Sequence, residues 1–308
     1  MLELRNLTKR FKDRTALDGV TLSIGEGEVF GYLGPNGAGK TTTMRVLLGL
    51  MEPTSGEALL WGAKASSSPE VRRRVGVLLE SDGLYPRLSA YENLDYFARL
   101  YAVPDRDARI HRLLDFAGLS ERAKDRVGNY SRGMRRKLGL VRALLHSPDL
   151  LLLDEPSAGL DPEAQKMVRD LIVALSTESQ ITVFLNSHDL DEVQRICGRV
   201  AILQRGRIRV CDTLKALQAS GSGNGVEIVL MDAGRREEAM GLLRAQPTVT
   251  DVVSGEAGLS VSLRDPRGAA TVAAVLEAHG IEVDEVRRSR RSLEDIYLEV
   301  VREGERDD

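Results

Sequence analysis

In GEVFGYLGPNGAGKTTTMRVLLGL a short apolar run gives way to a glycine-rich turn and then to a helical spacing of apolar residues. DLLLLDEP and QITVFLNSH are continuous apolar runs bounded by polar residues, as strands covered on both faces should be. Helical segments separate these runs, so an α/β domain around a mostly parallel sheet is expected. Within it, 89–146 reads as a helical insertion. SAYENLDYFARLYA and RDARIHRLLDFAGL both repeat apolar residues at i, i+3 and i+4.

The pattern changes near residue 219. ASGSGNG, at 219–225, has the composition of a flexible linker. It separates a first domain, 1–218, from a second, 226–308. The second reads as strand, helix, two strands, helix, strand: VEIVLM, REEAMGLLRA, VTDVVS, LSVSL, AATVAAVLEAHG and IEVDEV. That order predicts a small α+β domain of ferredoxin-like type. The amphipathic SLEDIYLEVVRE closes the chain, and no internal repeat is visible. Arginine clusters at 72–74 and 287–291 read as solvated surface.

Composition narrows the function classes. The 308 residues carry a net charge of −3, so no global basic field invites nucleic acid. The two cysteines, Cys197 and Cys211, lack metal-ligand spacing and suit a reducing compartment. MLELRNLTKR has no apolar signal region, so secretion is not expected. No apolar run approaches the roughly 20 residues of a membrane helix. If the protein works at a membrane, another polypeptide must cross it.

Three places carry chemistry. GPNGAGKT, at 34–41, matches G-x-x-x-x-G-K-[ST] between an apolar strand pattern and a helix. Its backbone N–H groups can curl around phosphates, Lys40 can reach the β- and γ-phosphates, and the Thr41 hydroxyl can ligate Mg²⁺. LLLLDEP sets Asp154 and Glu155 at the carboxyl end of a buried strand, where open parallel sheets bind ligands. Adjacent carboxylates point to different sides, so Asp154 can serve Mg²⁺ while Glu155 orients an attacking water. YSRGM, at 130–134, puts Ser131 and Gly133 at the start of a basic helix, which looks like a second anion site.

Together these residues resemble the nucleotide-binding subunit of an ABC transporter, over residues 1 to about 218. Gly34, Pro35, Asn36, Gly37, Ala38, Gly39, Lys40 and Thr41 match Walker A, with Thr42 behind them, and 150–154 match Walker B with Glu155 following. The resemblance implies that ATP is bound with Mg²⁺ held by Thr41, Asp154 and Glu80. It makes SAGLD (157–161), with Asp161, the D-loop and His188 the switch histidine that contacts the γ-phosphate. Phe11 stands where the family stacks an aromatic on adenine. YSRGM replaces the usual Leu-Ser-Gly-Gly-Gln signature, and Glu80 replaces the usual Q-loop glutamine. Both variants, and the C-terminal extension ending SLEDIYLEV, look like the drug-efflux and sodium-efflux branch of bacterial exporters.

The resemblance implies two such subunits packed head to tail, as a homodimer or a heterodimer. Ser131 and Gly133 of one would then cover the γ-phosphate held by Lys40 of the other. ATP-driven dimerisation and hydrolysis would drive a polytopic membrane permease subunit, which places the chain on the cytoplasmic face of the membrane. Rival readings are a soluble ABC ATPase of translation or repair type and an ATP-holding regulatory module. A single phosphate loop, the short 40–131 interval and the intact Glu155 and His188 argue against them. For the second domain, regulation, dimerisation and stabilisation are all compatible roles.

Overall fold

Val29–Leu33, Leu150–Asp154 and Thr182–Asn186 are strands in which every residue is buried, as the uninterrupted apolar runs require. The structure, a computed structural model, describes all residues except 13, 65–67, 221–224, 256–257, 266–267, 289–291 and 307–308. Most of the expected linker and part of the 287–291 arginine cluster therefore lie outside the described residues.

The chain divides into two compact units, Met1–Thr213 with Val300–Asp308, and Leu214–Glu299. In chain order the first contains β1 (Leu2–Phe11), β2 (Arg14–Ile24), β3 (Val29–Leu33), α1 (Lys40–Leu47), β4 (Ser55–Leu60), β5 (Ala63–Lys64), α2 (Pro69–Arg73) and β6 (Val75–Leu78). It continues with α3 (Ala90–Leu100), α4 (Arg106–Phe116), α5 (Arg132–Leu144), β7 (Leu150–Asp154), α6 (Pro162–Ser179), β8 (Thr182–Asn186), α7 (Leu190–Ile196), β9 (Arg199–Gln204) and β10 (Arg207–Thr213). From Leu214 follow α8 (Leu214–Ser220), β11 (Gly225–Leu230), α9 (Arg236–Arg244), β12 (Val249–Ser254), β13 (Leu259–Leu263), α10 (Ala269–Ala278), β14 (Val283–Arg288) and α11 (Leu293–Arg306).

The central sheet of the first unit has the order β10-β9-β3-β8-β7-β6 and is parallel except for β10 against β9. Parallel pairing puts the carboxyl ends of β3, β8, β7 and β6 along one edge, where the site forms. A second, wholly antiparallel sheet of order β2-β1-β4-β5 covers part of the same core. Phe184 of β8 lies between Phe30 and Tyr32 of β3, with ring centroids 6.1 and 5.1 Å away. All three side chains are fully buried, each contributing about 1.5–3 kcal/mol by leaving water.

The insertion starts where its sequence offers a cap. The Ser89 hydroxyl accepts from Glu92 N at 3.2 Å, and the Glu92 carboxylate accepts from Ser89 N at 2.7 Å, a reciprocal box that opens α3. Ser131 opens α5 in the same manner, its hydroxyl accepting from Met134 N at 3.2 Å.

In the second unit the strands pair antiparallel in the order β12-β13-β11-β14, with α9 and α10 filling the order read from the sequence. Alternating β13, buried at Leu259, Val261 and Leu263, and the buried side chains of α9 and α10 form its own core.

Candidate functional site

The turn between β3 and α1 is the first wall of a cleft of about 770 Å³, within the size range of small-molecule sites. Gly34 and Gly39 hold φ of 154° and 116°, which side chains rarely adopt. A Cβ on either would also strike backbone carbonyls, of Leu203 and Ala16 respectively. The turn ends with the N-terminus of α1 aimed by Gly39. Lys40 is 7% exposed and donates to the Gly34 carbonyl at 2.6 Å and more weakly to Pro35. Burial pushes its ammonium pKa down, while Glu155 and Asp154 pull it up. Arg14 ties the β1–β2 hairpin to this wall by donating to the Gly37 carbonyl at 2.9 Å.

The opposite wall comes from the ends of β7 and β8. Asp154 and Asn186 are register partners, and the Asn186 amide donates to Asp154 Oδ1. Burial pushes the Asp154 carboxyl up, the Asn186 bond pulls it down, and Glu155 and Glu80 push it up again. Glu155 takes φ of 51°, with its N–H on the Asn186 carbonyl at 2.8 Å. A left-handed glutamate is strained backbone held by its surroundings, a feature that clusters at functional sites. Its Oε2 lies 2.7 Å from His188 Nδ1. With Nδ1–H donating to the carboxylate, Nε2 accepts in the neutral ring and donates only in the imidazolium.

Of the residues singled out in the sequence, Phe11, Asn36, Gly37, Gly39, Lys40, Thr41, Thr42, Glu80, Asp154, Glu155 and His188 line one cleft. Phe11 ends β1 with 42% of its surface exposed and Lys9 5.2 Å from its ring. Gly34, Pro35 and Ala38 belong to the same loop but do not line the cleft. The cleft carries five cationic side chains, Arg14, Lys40, Arg132, Arg135 and Arg136, against Glu80, Asp82, Asp154 and Glu155. A polyanion with a bridging cation matches that mixture.

The structure does not bring Ser131, Gly133 or Asp161 to this cleft. The Asp161 carboxylate is used as the cap of α6, accepting from Ala164 N at 2.9 Å. Gly133 has a requirement within its own chain, because a Cβ there would come 2.9 Å from the Ala164 Cβ.

For Mg²⁺ the fit is chemical. The Thr41 hydroxyl and the Asp154 and Glu80 carboxylates line one cleft, and buried Asn186 Oδ1 has no hydrogen-bond partner. These are hard oxygen donors of the type Mg²⁺ takes. Among the described residues no three His, Cys, Asp or Glu side chains group as a metal cage. Mg²⁺ needs none, since it usually keeps water and shares substrate phosphates with one or two carboxylates.

Three residues escape sequence reasoning. Asn186 announces itself only through strand register. Arg136 is described below. Glu192, 1% exposed, accepts from Ser157 Oγ at 2.5 Å and from Ser187 Oγ at 2.8 Å, joining the segment after Glu155 to the one before His188. Burial pushes its carboxyl up, against both serines, which pull it down. Glu192→Ala is expected to lower stability by about 2–4 kcal/mol, since two buried hydroxyls lose their acceptor. Glu192→Gln is expected to cost less. The raised folded-state pKa means that folding disfavours the charged form. Wild type should therefore lose stability relative to Glu192→Gln as pH rises above the unfolded carboxyl range of about 4.3. Thermal midpoints of the three proteins measured from about pH 4.5 to 8 check both statements; a difference that does not grow with pH would contradict the second.

Known proteins sharpen the reading. The ABC transporter family model matches residues 17–158. The ABC transporter ATP-binding protein YhcH of Bacillus subtilis is 36% identical over 304 residues, 98% of this chain and 96% of that protein. The fluoroquinolones export ATP-binding protein of Mycobacterium tuberculosis is 35% identical over 304 residues, 97% of this chain and 93% of its own length. Among solved structures, a dimeric post-hydrolysis state of an ATP-binding cassette bound to ADP and Pi superimposes with a TM-score of 0.63 at 28% identity, over 70% of this chain and 99% of that one. Both curated relatives extend through the second unit. This chain belongs to the ATP-binding, ATP-hydrolysing subunits of ABC transporters.

Proposed function

We propose that this chain energises an exporter from the cytoplasmic face of the membrane, by binding MgATP between two nucleotide-binding subunits and hydrolysing it. The observation that carries the reading is the convergence of Lys40, Asp154, Glu155 and His188 on one cleft at the carboxyl edge of the parallel sheet. Phe11 offers a face to adenine. The loop 34–41 and Lys40 hold the phosphates, and Thr42 borders them. Thr41, Asp154 and Glu80 hold Mg²⁺, which when bound neutralises charge on the phosphate oxygens. Glu155 orients water and accepts its proton, with His188 fixing the carboxylate and reaching the γ-phosphate. Asp161 caps α6 and so sets the end of the 157–161 segment. The export name of one relative supports the direction of transport, and full-length similarity to it supports a shared two-unit plan. Among the described residues no helix is long and apolar enough to cross a membrane; in this reading the membrane is crossed by a polytopic permease subunit.

That permease docks beside the 80–94 segment. Glu80 joins the cleft to this loop, and Asn93, fully buried, pins the loop to α3. Its amide oxygen accepts from Tyr85 N at 2.8 Å, and its nitrogen donates to the carbonyls of Tyr85, at 3.0 Å, and Ser89, at 2.9 Å. Tyr85 remains 45% exposed over Tyr96 and Phe97. Leu84→Glu or Tyr85→Glu should abolish co-purification with a polytopic membrane protein and ATP-dependent transport in proteoliposomes, while nucleotide binding stays near wild type. Unchanged transport by both variants would remove the docking site. Failure of the wild-type chain to associate with any membrane protein would remove the transport reading itself.

A further inference from the structure

Arg136 stands on α5, downstream of the Ser131 cap, with 8% of its surface exposed. A guanidinium has five N–H donors in a fixed planar fork. Here all five bonds go to backbone carbonyls. Nε donates to Pro156 at 2.9 Å, Nη1 to Leu79 at 2.7 Å and Glu80 at 3.1 Å, and Nη2 to Asp154 at 2.8 Å and Glu155 at 2.6 Å. The five acceptors belong to two segments, the one leaving β6 and the one leaving β7. Those segments carry Glu80 and Glu155.

We propose that Arg136 is a positioning residue for hydrolysis, fixing the Glu155 carboxylate and the Glu80 segment to the N-terminal half of α5. The inference rests on the reading of Glu155 as the base. Glu155 holds a left-handed backbone, which persists only where neighbours over-determine it. Its N–H is taken by Asn186 and its carbonyl by Arg136, so the peptide units on both sides are fixed. No other side chain bridges both segments to α5 among the described hydrogen bonds. Any displacement of α5, such as occupation of its N-terminus by a second subunit would produce, is passed by the rigid fork to both carboxylate-bearing segments together. Lysine cannot replace it, because three donors on a flexible stem leave at least two of the carbonyls unserved.

The test uses the full-length chain, with single-turnover ATP hydrolysis, MgATP dissociation constants and thermal midpoints. The proteins are wild type, Arg136→Lys, Arg136→Gln, Glu155→Gln and the double variant Arg136→Lys/Glu155→Gln. Arg136→Gln keeps a planar donor and guards against a lysine variant that fails to fold. Either single replacement of Arg136 should slow hydrolysis by about 10–100-fold, the scale of a small misplacement of a reacting group, with the MgATP dissociation constant changed by less than about threefold. In the Glu155→Gln background the Arg136 change should remove less than about a further threefold, because residues that act as a unit are non-additive. The same fold loss in both backgrounds, or a loss carried wholly by MgATP affinity, overturns the inference and leaves the base role of Glu155 standing. Near-wild-type hydrolysis by Glu155→Gln alone overturns the base role, and the route through Glu155 with it.

Discussion

Glu155→Gln binds MgATP and hydrolyses it roughly 10²–10⁴-fold more slowly, the usual scale for a positioned general base. The substitution suits this site unusually well. The glutamine keeps the length of the side chain, and the backbone at φ of 51° remains held by the Asn186 carbonyl and by Arg136. Lys40 and the phosphate loop are untouched, so binding is spared. What is lost is the ability to accept a proton at the oxygen now 2.7 Å from His188 Nδ1. Because hydrolysis releases the ATP-bound pair, the variant should also accumulate a dimer in MgATP, seen as an earlier gel-filtration peak. Asp154 is not its equivalent. Buried, and bonded to Asn186, it is committed to the floor of the site. Near-normal turnover would take the base role from Glu155.

How much of this was legible depended on whether a residue's signal is local. The loop 34–41 and the acid pair are contiguous motifs set against strands that are apolar throughout, and the structure puts them together. The antiparallel sheet was invisible because its alternation is broken. β1 shifts register between Leu4 and Leu7 and again around Lys9, with Asn6 at φ of 48°, and its burial reads buried, half, buried, exposed, exposed, buried, buried. A period of two cannot survive such bulges. The two compact units divide after Thr213, with α8 in the second unit and the end of α11 in the first. Arg136 did leave a trace. It shares an i, i+4 row with Leu140 and Leu144 on the buried stripe of α5, and a charge on that stripe signals a partner. Which partner it meets is a tertiary fact. Asn186 and Glu192 are of the same kind, because their acceptors and donors lie on other elements.

Mixing two inactive subunits should restore nucleotide-dependent association, if Ser131 and Gly133 act on the partner's nucleotide. The structure supplies the reason for asking. Ser131 is exposed, caps α5, and lies outside the cleft that holds Lys40 of its own chain, although Arg132, Arg135 and Arg136 border that cleft. The Ser131 hydroxyl caps the Met134 N–H, and the first-turn N–H groups of a helix are a place where an anion can bind. Take Lys40→Ala in one preparation and Ser131→Arg in another. Each homodimer then has two damaged sites, since every composite site joins one phosphate loop to one signature. A mixed dimer has one site with both defects and one with intact Lys40 and intact Ser131. Mixing should recover ATP-dependent dimerisation, and some hydrolysis where one intact site suffices. Ser131→Arg also removes a helix cap, at a cost of about 0.5–2 kcal/mol, so its thermal midpoint is measured alongside. Were the signature to serve its own chain's nucleotide, no mixed dimer would contain an intact site and mixing would restore nothing. With subunit exchange verified, that silence would refute the trans arrangement and leave Ser131 as a helix cap alone.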